Sequence, residues 1–152
     1  MTNRDELRTR PMAMPPQWHD LTIGADWGTR LLGGNVGLAR AVYPVDPAGG
    51  GTWIASAPSG LVLCILNANP IPPGVLPPSN TLLSRGVIIP RLMSAAAGMA
   101  GQAALDVMKL LDGFELARFA PFRLIGVSMS ARPGQQGFVV IEASWNRAEL
   151  TA

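Results

Sequence analysis

Thr52-Trp53-Ile54-Ala55, then Pro58-Ser59-Gly60, then Leu61-Val62-Leu63-Cys64-Ile65-Leu66 follow one another in the middle of the chain. The first block carries β-branched and aromatic residues over a strand's length, the second is a turn signal, and the third is a continuous apolar run. Together they predict a β-hairpin whose second strand is buried on both faces.

The flanks are read from that hairpin outward. Phe122 to Val127 and Gly137 to Ala143 predict two more strands. Arg132-Pro133-Gly134-Gln135 turns between them to form a second hairpin. Ala68 to Pro78 holds five prolines and reads as a loop. A helical zone then starts near Thr81, capped by Asn80 or Ser79, and runs to about Gly113. Pro90 should break it, because proline removes a backbone donor and clashes with the previous turn. The second piece, roughly Gly101 to Leu111, sets Leu105, Met108 and Leu111 on one face, with Asp106, Lys109 and Asp112 on the other. Gly113 is its C-cap. Upstream, His19 to Gly24 and Leu38 to Val45 predict short strands around a glycine-rich loop, Gly24 to Gly37. Strands, then helices, then strands describe an α+β layered domain with antiparallel sheet, not alternating βαβ units. Residues 1–152 form one domain on this reading.

Composition narrows the function classes. At 48% hydrophobic the chain can bury a core, while charged residues make only 14%, against a typical value of about 25%. Net charge is +2 without a basic run or aromatic-basic alternation, so a nucleic-acid partner has no footprint. A single cysteine, Cys64, and a single histidine, His19, exclude an internal disulfide and a His/Cys metal cluster; a reducing, cytoplasmic setting is expected. The uncharged stretch Ile54 to Ser84 carries six prolines, which argues against a membrane-spanning helix.

Several blocks, in order, carry a resemblance. Asn3-Arg4-Asp5-Glu6, Arg10-Pro11 and Trp18 open it; Gly50-Gly51-Thr52-Trp53 and Gly60 through Leu66 to Asn67 follow. Ser84-Arg85-Gly86, Phe119 to Ile125 and Trp145-Asn146-Arg147 complete it. This series resembles the NRDE family, which includes the transport and Golgi organisation proteins of eukaryotes. That family is in turn similar to the N-terminal nucleophile hydrolases of the choloylglycine hydrolase and penicillin acylase branch. The resemblance implies a layered αββα sandwich with antiparallel sheets, of which this chain would be a partial version. Family members begin with Met-Cys and an apolar strand before the NRDE block, and continue past the Asn-Arg block. Measured against them, the chain reads as truncated at both ends.

The resemblance also implies roles. Arg4 and Asp5 would orient and polarise an N-terminal Cys nucleophile, and Asn67 would be an oxyanion donor. A guanidinium favours the thiolate beside it, and an amide N–H can meet a developing negative charge. No cofactor or metal is implied. The implied activity is amide hydrolysis or acyl transfer, with this chain inactive for want of the Cys. The alternative is a binding or trafficking protein for a hydrophobic ligand such as acyl-CoA, a lipid or haem. The ligand would be a small hydrophobic or acyl-amide molecule.

The residues themselves supply no nucleophile. Thr2 would qualify only as a new N-terminus, and Cys64 sits mid-strand as a buried, inert thiol. His19 reads as a surface histidine, Trp53 as core, and Trp18 as a packed loop residue that could also line a groove. Gly49-Gly50-Gly51-Thr52 precedes a strand and lacks the Lys of a phosphate loop.

Overall fold

The computed structural model of the chain describes residues 11–21, 39–68, 77, 81–96, 107, 109–129 and 137–152. Its centre is one antiparallel sheet of seven strands laid side by side in chain order. These are β1 (Gln17–Leu21), β2 (Ala39–Tyr43), β3 (Ile54–Ser56), β4 (Val62–Asn67), β5 (Phe122–Met129), β6 (Phe138–Trp145) and β7 (Leu150–Thr151). Mixed but mostly β, the described fold has few helices.

The central hairpin forms as its sequence predicts. Ile54, Ala55 and Ser56 pair with Cys64, Leu63 and Val62. Gly60 closes the turn at φ +83°, a left-handed conformation that glycine adopts without a Cβ penalty. The second predicted hairpin also forms, from Phe122↔Trp145 to Met129↔Phe138; its turn lies outside the described residues. β4 and β5, far apart in sequence, pair over their whole common length, from Val62↔Val127 to Asn67↔Phe122. The long insertion between them therefore leaves the meander intact.

That insertion covers one face. Helix α1 (Ile88–Ala96) lies against β1 to β4 and buries Ile88, Ile89, Leu92 and Met93. Helical backbone recurs at 107 and 109–111, where Val107, Leu110 and Leu111 are buried while Lys109 and Asp112 face solvent. Beneath them lie the inward residues of the strands: Leu21, Ala41, Leu63, Ile65, Phe122, Leu124, Ala143 and Trp145. No helix among the described residues is long and apolar enough to cross a membrane.

Three expectations need correction. The Leu61 to Leu66 strand is not buried on both faces. Leu61, Leu63 and Ile65 are buried, but Val62 and Cys64 are half-buried and Leu66 is 37% exposed. Pro90 does not break a helix; it stands third in α1, in the first turn, where backbone N–H groups have no intrahelical partner to lose. The helix accordingly starts later than Thr81. Its entry is the 3-10 turn Arg85–Val87, capped by the Ser84 hydroxyl accepting from the Gly86 amide at 3.3 Å. The Asn80 and Ser79 caps, Leu105, Asp106, Met108 and the whole Gly24–Gly37 loop fall outside the described residues.

Candidate functional site

Where β3 and β4 meet the start of α1, the chain forms an open cavity of about 390 Å³. Asp46, Thr52, Trp53, Asn67, Ser84 and Arg85 all reach its wall.

The Asp46–Gly51 loop forms one side. Asp46 is buried; its Oδ1 accepts from the Ala48 amide at 3.1 Å, and its backbone N–H and carbonyl bond to Gly51 and Gly50. This carboxylate-to-backbone turn fixes the loop. Gly51 is then pressed against the backbone of Gly86. A Cβ at Gly51 would overlap the Gly86 carbonyl group and lie 2.7 Å from the Val87 nitrogen. The Thr52 amide donates to the Gly86 carbonyl at 3.0 Å, and the buried Thr52 hydroxyl donates to the Ile54 carbonyl at 2.8 Å. So Gly51-Thr52 and Ser84-Arg85-Gly86, some thirty residues apart, are joined backbone to backbone.

The other side is the end of β4. Asn67 has the same strand parity as Leu63 and Ile65, which puts it on the helix-covered face, one step beyond Ile65. The core ends there, so Asn67 is exposed to the cavity mouth. Arg85 reaches across and donates to the Pro121 carbonyl at 2.7 Å, and the Ala68 amide donates to the same carbonyl at 3.2 Å. Burial lowers the pKa of the Arg85 guanidinium from its ordinary value, yet it stays charged at neutral pH.

The structure thus brings together Thr52, Trp53, Asn67, Ser84, Arg85 and Gly86, with Gly51 just behind the wall. Asn3, Arg4, Asp5 and Glu6 lie outside the described residues. Asp46 was missed by sequence reasoning; its signal is the Asp-Pro-Ala-Gly turn pattern before the glycine run. Trp53 is half-buried in the cavity wall, packed against the core rather than within it.

Other candidates fall elsewhere. Cys64 is half-buried on the opposite face of β4, away from Ile65 and Asn67, and burial pushes its thiol pKa up. It is therefore neither fully buried nor placed at the cavity. His19 is not a plain surface histidine. Its ring stacks on Tyr43 with centroids 4.0 Å apart, and Nε2 lies 3.3 Å from the Tyr43 carbonyl, which can only accept. Trp18 is a strand residue lying beneath the Arg40 guanidinium at 5.3 Å. In the Trp145-Asn146-Arg147 block, Trp145 Nε1 donates to the Phe119 carbonyl at 3.3 Å. Arg147, at φ +81°, donates to the Ala117 and Phe119 carbonyls at 3.2 Å. That block fastens β6 to the segment before β5.

Compared with protein-family models and with curated proteins, the chain matches none.

Proposed function

We propose that the chain is an NRDE-family protein, with the N-terminal-nucleophile-hydrolase-like layered αββα architecture of which the described sheet and its helices would be one half. Its ancestral chemistry is amide hydrolysis or acyl transfer. One observation supports this reading above the others. Gly51-Thr52-Trp53, Asn67 and Ser84-Arg85-Gly86 carry the resemblance from separate parts of the chain, and they converge on a single cavity. On this reading Asn67 is the oxyanion donor, and Arg4 and Asp5 serve an N-terminal Cys. The one cysteine of the 152 residues is Cys64, on the far face of β4, so it is not placed to serve as that nucleophile.

The test is covalent labelling. A version carrying an N-terminal Cys ahead of the NRDE block should be acylated by a thiol-reactive acyl probe, and Asn67→Ala should slow that step by about two orders of magnitude. Absence of labelling at the new Cys would sink the enzyme reading.

A second reading, a binding or trafficking protein for a hydrophobic ligand, draws on Trp53 in the cavity wall. It predicts quenching of Trp fluorescence on titration with haem or acyl-CoA. A flat titration ends it.

A further inference from the structure

We propose that Arg85 and Asn67, which line the same cavity, form a binding site for the carboxylate of a small monoanionic ligand whose apolar body rests on Trp53 and Ile65. Independent of the amidase reading, the inference stands on the cavity alone.

Arg85 is a half-buried cation that makes no ion pair among the described residues, although Asp46 lines the same cavity. Arg40 pairs with Asp20 at 2.9 Å, Arg118 with Glu115 at 3.4 Å and Arg123 with Glu142 at 3.0 Å. All three pairs are largely exposed. Arg85 and Arg147 are half-buried and bond to carbonyls; of the two, Arg85 stands in the cavity wall, and among the described residues its side chain has only the Pro121 carbonyl. A guanidinium carries five N–H donors, so most remain for something else. Taking a charge from water without a partner is costly, and an anion in the cavity would offset that cost.

The geometry favours a ligand over a structural tie alone. The Pro121 carbonyl also accepts from the Ala68 amide, so the anchor is itself held. A guanidinium fixed at one end presents its remaining donors without further loss of side-chain freedom. The Asn67 side chain reaches the same cavity and makes no hydrogen bond among the described residues.

Ligand class follows from charge and shape. The charged residues of the described lining are one cation, Arg85, and one carboxylate, Asp46, whose Oδ1 accepts from the Ala48 amide in its own loop, so the cavity has room for no more than one further negative charge, beside Arg85. A dianionic phosphate would keep its second charge uncompensated. The planar guanidinium fork suits a carboxylate in a bidentate grip. A volume of about 390 Å³ suits a small molecule, and Trp53 and Ile65 give it an apolar surface.

The experiment titrates the 152-residue chain with benzoate, with its neutral counterpart benzamide and with inorganic phosphate, following Trp fluorescence and calorimetry. Benzoate should bind saturably. Benzamide and phosphate should each bind more weakly by about tenfold or more. Arg85→Gln should weaken benzoate binding by about tenfold or more, while Arg85→Lys, which keeps the charge but not the fork, should lose less. Asn67→Ala has no described hydrogen bond to break; it should weaken benzoate several-fold while melting like the parent. The proposal is overturned by any of three results: no saturable benzoate binding, equal binding of benzoate with benzamide or phosphate, or undiminished binding in both Arg85→Gln and Asn67→Ala.

Discussion

Strand β4 looks two ways. Leu63 and Ile65 are sealed beneath α1, whereas Val62, Cys64 and Leu66, alternating with them, face outward. The same contrast runs across the register. Inward stand Leu63, Gly126 and Ile141; outward stand Val62, Val127 and Val140. At β6 the outward residues are well exposed, Phe138 at 72% and Val140 at 65%. In this row both faces carry apolar side chains, although the outward face also holds the Arg123–Glu142 pair, so hydrophobicity along the row does not by itself distinguish them. A packed neighbour does: the described helical residues of the insertion between β4 and β5 lie over the inward face.

That contrast can be broken most directly at Leu63. Leu63→Ala should cost about 2–5 kcal/mol in denaturant unfolding, because a fully buried side chain leaves a cavity behind. Loss of less than about 1 kcal/mol would show that the inner face is not sealed. Gly126 tests the same row from the opposite direction. A Cβ there would lie 2.8 Å from Ile141 Cγ1 and 3.1 Å from Leu63 Cδ2. Gly126→Ala should therefore destabilise by about 1–3 kcal/mol through overpacking, read as a drop in melting temperature. Val140→Thr, on the open face, should stay within about 0.5 kcal/mol of the parent. A larger loss would reveal a partner covering that face.

The smallest effect sharpens the picture at Cys64. Burial raises its thiol pKa in the folded chain, so the neutral form is favoured by folding. The associated stability is fully present below the unfolded thiol's pKa and fades as pH rises through the unfolded and then the folded value. Thiol modification by an aromatic disulfide should reach half its maximal rate at a higher pH in the folded chain than in the denatured chain. Coincident profiles would place Cys64 in open solvent.

Short-range signals account for much of what was legible. Pro58-Ser59-Gly60 between two apolar runs announces the first hairpin, and the second follows from the same logic. Pro90 misled because proline's penalty depends on position: in a first turn the missing N–H costs nothing. β7 went unseen because two residues carry no periodicity. It forms because Asn146 Oδ1 accepts from the Ala148 and Glu149 amides at 2.8 and 2.9 Å and turns the chain back onto β6. At the cavity, Gly51, Thr52, Asn67, Ser84 and Arg85 were each visible as part of a block, but their meeting was not.

Local pattern by itself thus determined both hairpins and every strand but the two-residue β7. Alternation, turn chemistry and residue inventory act over a few positions and can be read there. Only the tertiary structure decided which face of β4 is core, that Pro90 opens a helix, and that Arg85 and Asn67 line one cavity. Those outcomes depend on where a long insertion packs, and packing is settled by contacts between residues far apart in the chain.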